Sequence, residues 1–258
     1  MSVALACTWW PHGEMPRFQR LYPQLRQVYE SLVISVSGEV DPADLDEVKA
    51  LQAYVGVRVV IPPDRTQARH TAMRMSLDTP ASHIHYVDMD RLLRWVETRP
   101  IEWRQTVEAV QKADCLIIGR TAAAFQTHPQ ALQKTEAIIN LVFSHLLGQP
   151  VDLCSGSKGF SRRAAEFLIA NTSPGHWADA EWPMLLHRAG FKLEAIVVDG
   201  LDWETADRHQ AQAADSDAQR RLADAHDQDA RRWALRVQVA LDIVREGLAA
   251  AQRKTGVE

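Results

Sequence analysis

Two aspartates one residue apart, Asp88 and Asp90, follow the apolar run His83 to Val87. Residues two apart on an extended segment point the same way, so both carboxylates are expected to face one ion while Met89 turns into a sheet. Hard divalent cations take oxygen ligands, and Mg²⁺ commonly accepts one or two carboxylates and fills its shell with water and phosphate. The pair is a candidate metal and diphosphate site; a solvated loop or a helix cap is the other reading of Asp-x-Asp. Arg65 and Arg69 lie one helical turn apart and suit bidentate contact with phosphate oxygens, or form a solvated basic face. Arg120 follows Gly119 at the end of another apolar run, placed to hold an acceptor phosphate or carboxylate, or to make a salt bridge. Asp179 and Glu181 open an apolar helical pattern, where acids also favour the helix dipole. His70, His83 and His85 are metal-ligand candidates or core histidines, and His176 is equally open.

These residues need a scaffold that gathers them. Val3 to Cys7 reads as a first buried strand, and Pro11, Gly13 and Pro16 mark a loop after it. Arg17 to Glu30 has helical spacing, Leu32 to Val36 reads as a strand, and Asp41-Pro42 as a helix cap with proline at the first helical position. Val57 to Ile61 is a third strand, Arg65 to Leu77 a helix, and His83 to Val87 a fourth strand. Strand and helix alternate, which argues for a mostly parallel sheet with helices on its faces. Ligands in such sheets sit beyond the carboxyl ends of the strands, where Asp88 and Asp90 fall. Further along, Ile101 to Lys112 is helical, Cys115 to Ile118 a strand, and Ala131 to Leu147 a long helix. The segment 155–159 reads as a flexible loop, 162–170 and 180–189 as helices, and Lys192 to Val198 as a late strand. Trp233, Val237, Leu241, Val244 and Leu248 recur at helical spacing, one apolar stripe to pack on the domain or on a second copy.

The 258 residues are 46% hydrophobic and 24% charged with a net charge of -4, an ordinary globular mix without the broad basic face of a nucleic-acid binder. Cys7, Cys115 and Cys154 are an odd, widely spaced set that fits neither a disulfide framework nor a zinc cluster. No apolar run reaches the ~18 residues of a membrane span. With no leader pattern at the start, a reduced, cytoplasmic setting is expected.

The segment His83-Ile-His-Tyr-Val-Asp-Met-Asp90 resembles the strand and Asp-x-Asp of GT-A glycosyltransferases. Arg65 to Arg74 resembles their basic helix before that strand, and Ala113 to Arg120 their strand ending in Gly-x-Arg. Gly148 to Asp152 and Ser155 to Arg163 are similar to a stretch of dolichyl-phosphate mannose and glucose synthases and related family 2 enzymes. Ala178 to Phe191 resembles their acidic, Leu-Leu-containing helix. The likeness spans roughly residues 3 to 200.

It implies an α/β GT-A fold, with a catalytic domain over 1–202 and a helical extension over 203–258 that acts as brace or oligomer contact. It further implies a metal-dependent, inverting transfer of a sugar from a nucleoside-diphosphate sugar to an unknown acceptor, with Mn²⁺ or Mg²⁺ at Asp88 and Asp90. Thr8, Trp10, Arg65, Arg69 and Asp88 would serve the nucleotide and diphosphate, a Trp face stacking on the base near Trp9 and His12. Arg120, Ser155, Gly156, Ser157 and Lys158 would serve the sugar or acceptor, and Asp179 or Glu181 would take the acceptor proton. No nucleic acid partner or transmembrane segment is expected; a homodimer through the C-terminal helix is a further expectation. Ser35-Val-Ser-Gly38 stands where many relatives carry acids that read the base. Two other readings remain: a nucleotide-sugar-forming nucleotidyltransferase, disfavoured by Thr8-Trp-Trp-Pro-His-Gly13 in place of a Gly-rich basic segment, and a non-catalytic GT-A-like binding protein.

Overall fold

A computed structural model describes residues 2–37, 39–172, 178–204 and 212–253; the Arg65 side chain and His176 lie outside the described residues. The chain opens with strand β1 (Val3–Trp9), buried along its whole length, as expected of a central parallel strand covered on both faces. Its side chains alternate. Leu5 and Cys7 enter one hydrophobic core, whereas Ala6 enters the other, on the opposite face of the sheet. Helix α1 (Met15–Val28), β2 (Ser31–Val36), α2 (Pro42–Ala50), β3 (Val57–Val60) and α3 (Ala68–Ser76) follow in alternation. Asp41 caps α2 by accepting from the Ala43 amide, and Pro42 takes the first turn.

Next come β4 (His83–Val87), α4 (Met89–Thr98), α5 (Pro100–Val110), β5 (Cys115–Arg120), α6 (Ala122–Gln126) and α7 (Gln130–Leu147). The chain ends with β6 (Ser157–Ser161), α8 (Arg162–Asn171), α9 (Ala178–Arg188), β7 (Leu193–Val198), α10 (Ser216–Asp227) and α11 (Ala230–Gln252). The strands form one seven-stranded sheet in the order β3-β2-β1-β4-β6-β5-β7. Every pairing is parallel except those of β6, which runs antiparallel between β4 and β5. The mostly parallel α/β sheet expected from the sequence is present.

Four local expectations change. Arg65 belongs to a 3₁₀ turn, Arg65–Gln67, and α3 begins only at Ala68, so Arg65 and Arg69 do not share one regular helix. Asp88 and Asp90 do not alternate along a strand. Asp88 is the N-cap of α4 and Asp90 stands in its first turn, so the two acids are separated by helical rotation, roughly 100° per residue. The amphipathic run Leu92, Leu93, Trp95 and Val96, all buried, pulls the chain into a helix as soon as β4 ends. The segment 155–159 is not a loop throughout: Ser157 to Ser161 is β6, and Ser157 and Lys158 are buried. The fourth change is the face of α11. Ala240, Ile243, Gly247 and Ala250 pack inward, while Val237 and Leu241 of the expected stripe are 58% and 42% exposed. Small residues permit the close approach that decides this: a Cβ on Gly247 would lie 2.3 Å from Phe143 of α7 and 2.7 Å from Ala180 of α9.

Ion pairs tie the late segments back. Arg94 of α4 pairs with Asp202 at 2.6 Å and Glu204 at 3.1 Å, and Arg17 of α1 reaches the same Glu204 at 2.6 Å. Asp227, at the end of α10, accepts from the Gln130 and Ala131 amides at the start of α7. That satisfies two of the donors a helix N-terminus leaves open.

Candidate active site

Asp88 is the hub. An N-cap aspartate ordinarily accepts from its own helix. Asp88 makes no such cap bond. Its Oδ1 accepts from Thr8 Oγ1 at 2.7 Å and Tyr86 Oη at 2.6 Å, and its Oδ2 stands 3.4 Å from Arg69 Nη2. Parallel pairing of β1 with β4 brings Thr8 to this corner. The Asp88 backbone amide donates to the Gly156 carbonyl at 3.1 Å. Gly156 has φ +76°, and a Cβ there would meet Asp88 Oδ2 at 2.6 Å. Glycine is required here on both counts.

Arg69 joins two parts of the chain that are distant in sequence. Its Nη1 donates to Asp179 Oδ2 at 2.5 Å while Nη2 faces Asp88. Burial acts to raise the Asp179 pKa, but Arg69 and then Lys158 outweigh it and hold the carboxyl below the usual carboxylate range. Lys158 Nζ lies 3.8 Å from Asp179 and donates to the Leu153 carbonyl at 2.8 Å. Arg69, Asp88, Asp179, Ser155 and Gly156 line one cavity of about 150 Å³, closed on its far side by Arg236, Val239 and Ile243 of α11.

Asp90 has a different environment. Burial, only partly opposed by Arg91 and reinforced by Asp88, pushes its carboxyl up to about 6. Its cationic neighbour Arg91 stands 3.9 Å away. An acid so short of counter-charge, beside a carboxylate whose Oδ2 still has lone-pair capacity, suits a hard divalent cation. Among the described residues no group of three His, Cys, Asp or Glu side chains could hold a metal. Asp88 and Asp90 would supply two oxygens, leaving the other positions to water and ligand.

The remaining expected site residues divide. Arg120 is buried and fully engaged: Nε and Nη2 grip Asp152 at 2.7 and 2.8 Å, and Nη2 also reaches Glu136 at 2.7 Å. These bonds commit its Nε and Nη2 to the framework rather than to an acceptor. Ser155 Oγ donates to the Ile118 carbonyl at 2.5 Å, and Ser157 Oγ bonds His85 Nε2 at 2.9 Å, so both hydroxyls serve the framework. His85 also meets Tyr29 Oη at 2.7 Å and is a core histidine; burial lowers its pKa to about 3. Glu181 pairs at 3.2 Å with Arg253, the residue that caps the C-terminus of α11, and burial, opposed by Arg253, raises its pKa. Trp9 is buried against Phe18, whereas Trp10 is exposed and lies tilted against His12 with centroids 4.6 Å apart.

Tyr86, Arg91, Glu136 and Arg236 escaped the sequence reading. Tyr86 had a signal, since it precedes Asp88 by two residues at the end of the same strand. Glu136 and Arg236 had none, because only helix packing brings them to the cavity.

No protein-family profile and no curated protein sequence matches the chain. Solved structures do. A mycobacterial protein superposes with TM-score 0.60 at 14% identity, over 99% of this chain and 76% of that one. Glucosyl-3-phosphoglycerate synthase of Mycobacterium tuberculosis superposes with TM-score 0.57 at 13% identity, over 99% and 82%. The same enzyme in complex with Mn²⁺, uridine diphosphate and phosphoglyceric acid gives TM-score 0.57 at 12% identity, over 99% and 80%. These superpositions do not carry the narrower likeness to dolichyl-phosphate mannose and glucose synthases. With the mixed seven-stranded sheet and the helical C-terminal region, they identify the fold of this chain as GT-A, that of glycosyltransferases using nucleoside-diphosphate sugars.

Proposed function

We propose that the chain is a metal-dependent glycosyltransferase that moves a sugar from a nucleoside-diphosphate sugar to an acceptor hydroxyl. The observation that carries this is the Arg69 guanidinium between Asp88 and Asp179, which joins the strand-end Asp88 and the α9 acid in one cavity. Asp88 and Asp90 would hold Mn²⁺ or Mg²⁺. When bound, such a cation neutralises charge on the departing diphosphate and acts as a Lewis acid. Thr8 and Tyr86 orient Asp88 for that task, and Arg69 adds positive charge beside the diphosphate.

Asp179 is the acceptor-side carboxylate. Ionised beside Arg69 and Lys158 and lining the cavity, it would take the acceptor proton as the hydroxyl oxygen bonds the anomeric carbon and the bond to the diphosphate breaks. A single displacement of this kind inverts the anomeric centre. Glu181, engaged by Arg253, is assigned to bracing α11 instead of to proton transfer. Trp10 offers an exposed ring near the strand ends for the base.

Thermal unfolding with UDP-, GDP- and TDP-sugars, with and without Mn²⁺, tests the proposal. A ligand at 100 times its dissociation constant stabilises by about 2.7 kcal/mol. One nucleotide sugar should give a Mn²⁺-dependent shift, and Asp90→Asn should abolish it. Turnover of a nucleoside triphosphate with a sugar phosphate would replace this reading with a nucleotidyltransferase; no shift with any nucleotide sugar would leave a non-catalytic relative.

A further inference from the structure

We propose that Arg91 of α4 and Arg236 of α11 form an oxyanion subsite that seats a phosphate or carboxylate group of the acceptor. This rests on the glycosyltransferase reading for its role, though not for the binding of an anion. Both arginines line the cavity that also contains Asp88 and Asp179. Each carries a fully buried N–H without a partner: Nη1 of Arg91 and Nε of Arg236. A buried donor left without an acceptor is costly, and more so when the group is charged. Two such donors from separate helices, on residues that line one cavity, point to a ligand that accepts from both.

The local charge agrees. Glu136 is shared by two arginines, Arg120 at 2.7 Å and Arg236 at 2.8 Å. Asp152 is consumed by Arg120 at 2.7 Å, and Arg91 has only Asp90 at 3.9 Å. Of these three guanidinium groups Arg91 is the least compensated, its carboxylate partner standing 3.9 Å away. The neighbouring imidazole registers the cations: burial first, then Arg120 and Arg91, with Arg236 adding, hold His128 well below its usual range. Guanidinium forks match planar carboxylates and phosphate oxygens.

The size of the space and its walls assign the anion to the acceptor. At about 150 Å³ the cavity is below the roughly 300–1,000 Å³ usual for a whole drug-sized ligand. It therefore suits one end of a substrate. Its walls at Glu136 and Arg236 belong to α7 and α11, on the Asp179 side, whereas the Asp88 corner belongs to β1 and β4. Arg120, the sequence-based candidate for such a contact, is neutralised within the protein. Arg91 and Arg236 take its place.

Calorimetric titration with inorganic phosphate, at ionic strength matched with sodium chloride, tests the subsite in the full chain. The wild type should bind phosphate saturably. Arg91→Gln and Arg236→Gln should each weaken phosphate at least tenfold, and Arg236→Gln, which leaves the Asp88–Asp90 corner untouched, should bind UDP with Mn²⁺ within twofold of wild type. Arg91→Gln breaks no ion pair closer than 3.9 Å, so it keeps the test open if Arg236→Gln does not fold. Unchanged phosphate affinity in the folded variants, or no saturable binding by the wild type, overturns the subsite. An equal loss of UDP–Mn²⁺ affinity in Arg236→Gln overturns the acceptor assignment and gives the anion to the donor diphosphate. Phosphate binding without any UDP–Mn²⁺ binding in the wild type sinks the glycosyltransferase reading and the acceptor role, and leaves an anion site.

Discussion

Asp88 and Arg120 are both charged residues at strand ends, yet they have opposite characters. Asp88 lines the cavity, accepts from two hydroxyls with one oxygen, and has Arg69 at 3.4 Å from the other. Arg120 is locked between Asp152 and Glu136. Removing one partner of a buried pair leaves uncompensated charge, at a cost of about 3–5 kcal/mol. Arg120→Ala should therefore lower urea-unfolding stability by that order; a stable variant that fails only with acceptor would restore Arg120 to the binding site. Gly156 makes the complementary prediction. Its φ of +76° and the 2.6 Å approach to Asp88 mean that Gly156→Ala should cost about 1–3 kcal/mol and weaken UDP–Mn²⁺ binding. Urea unfolding and calorimetry check the two halves, and an unperturbed variant would show that Asp88 has room to move.

At the scale of elements, α11 matters more than its position at the end of the chain implies. It packs on α7 and α9 and brings Arg236, Val239 and Ile243 to the cavity. The joint is tight at Gly247, where any side chain meets Phe143 and Ala180. Replacing glycine within a helix gains up to about 1 kcal/mol of propensity, but overpacking costs about 1–3 kcal/mol. Gly247→Leu should thus lift α11 from its seat, seen as lost hydrogen-exchange protection over 230–252 while β1 and β4 stay protected. Retained protection there would mean that α7 and α9 can yield.

At the scale of the whole molecule, the sheet's core carries a titratable group. His85 is fully buried between Tyr29 and Ser157, and its folded pKa is depressed from 6.5 to about 3. The unfolded chain takes up the proton first. Its contribution to stability is complete above about pH 6.5 and is lost as pH falls toward 3, by about 1.4 kcal/mol per pH unit within that window. His85→Gln should flatten the stability curve between pH 6 and 4 by that slope. Parallel curves for wild type and variant would show that another group controls the acid limb.

The alternation of apolar runs and helical spacings was enough to give a mostly parallel α/β sheet, because period-2 and period-3.6 patterns are local properties of the chain. The strand end at Asp88 and the α9 acids were legible for the same reason. The reversal of β6 was not, since antiparallel insertion between β4 and β5 depends on long-range pairing. Nor was the face of α11, where Gly247 and Ala250 were chosen by the closeness of Phe143 and Ala180 over a more apolar stripe. Sequence by itself determined which residue types stand at the strand ends. Tertiary structure decided which of those charges neutralise one another and which are left facing a cavity, because charge pairing acts through space between segments that the chain order keeps far apart.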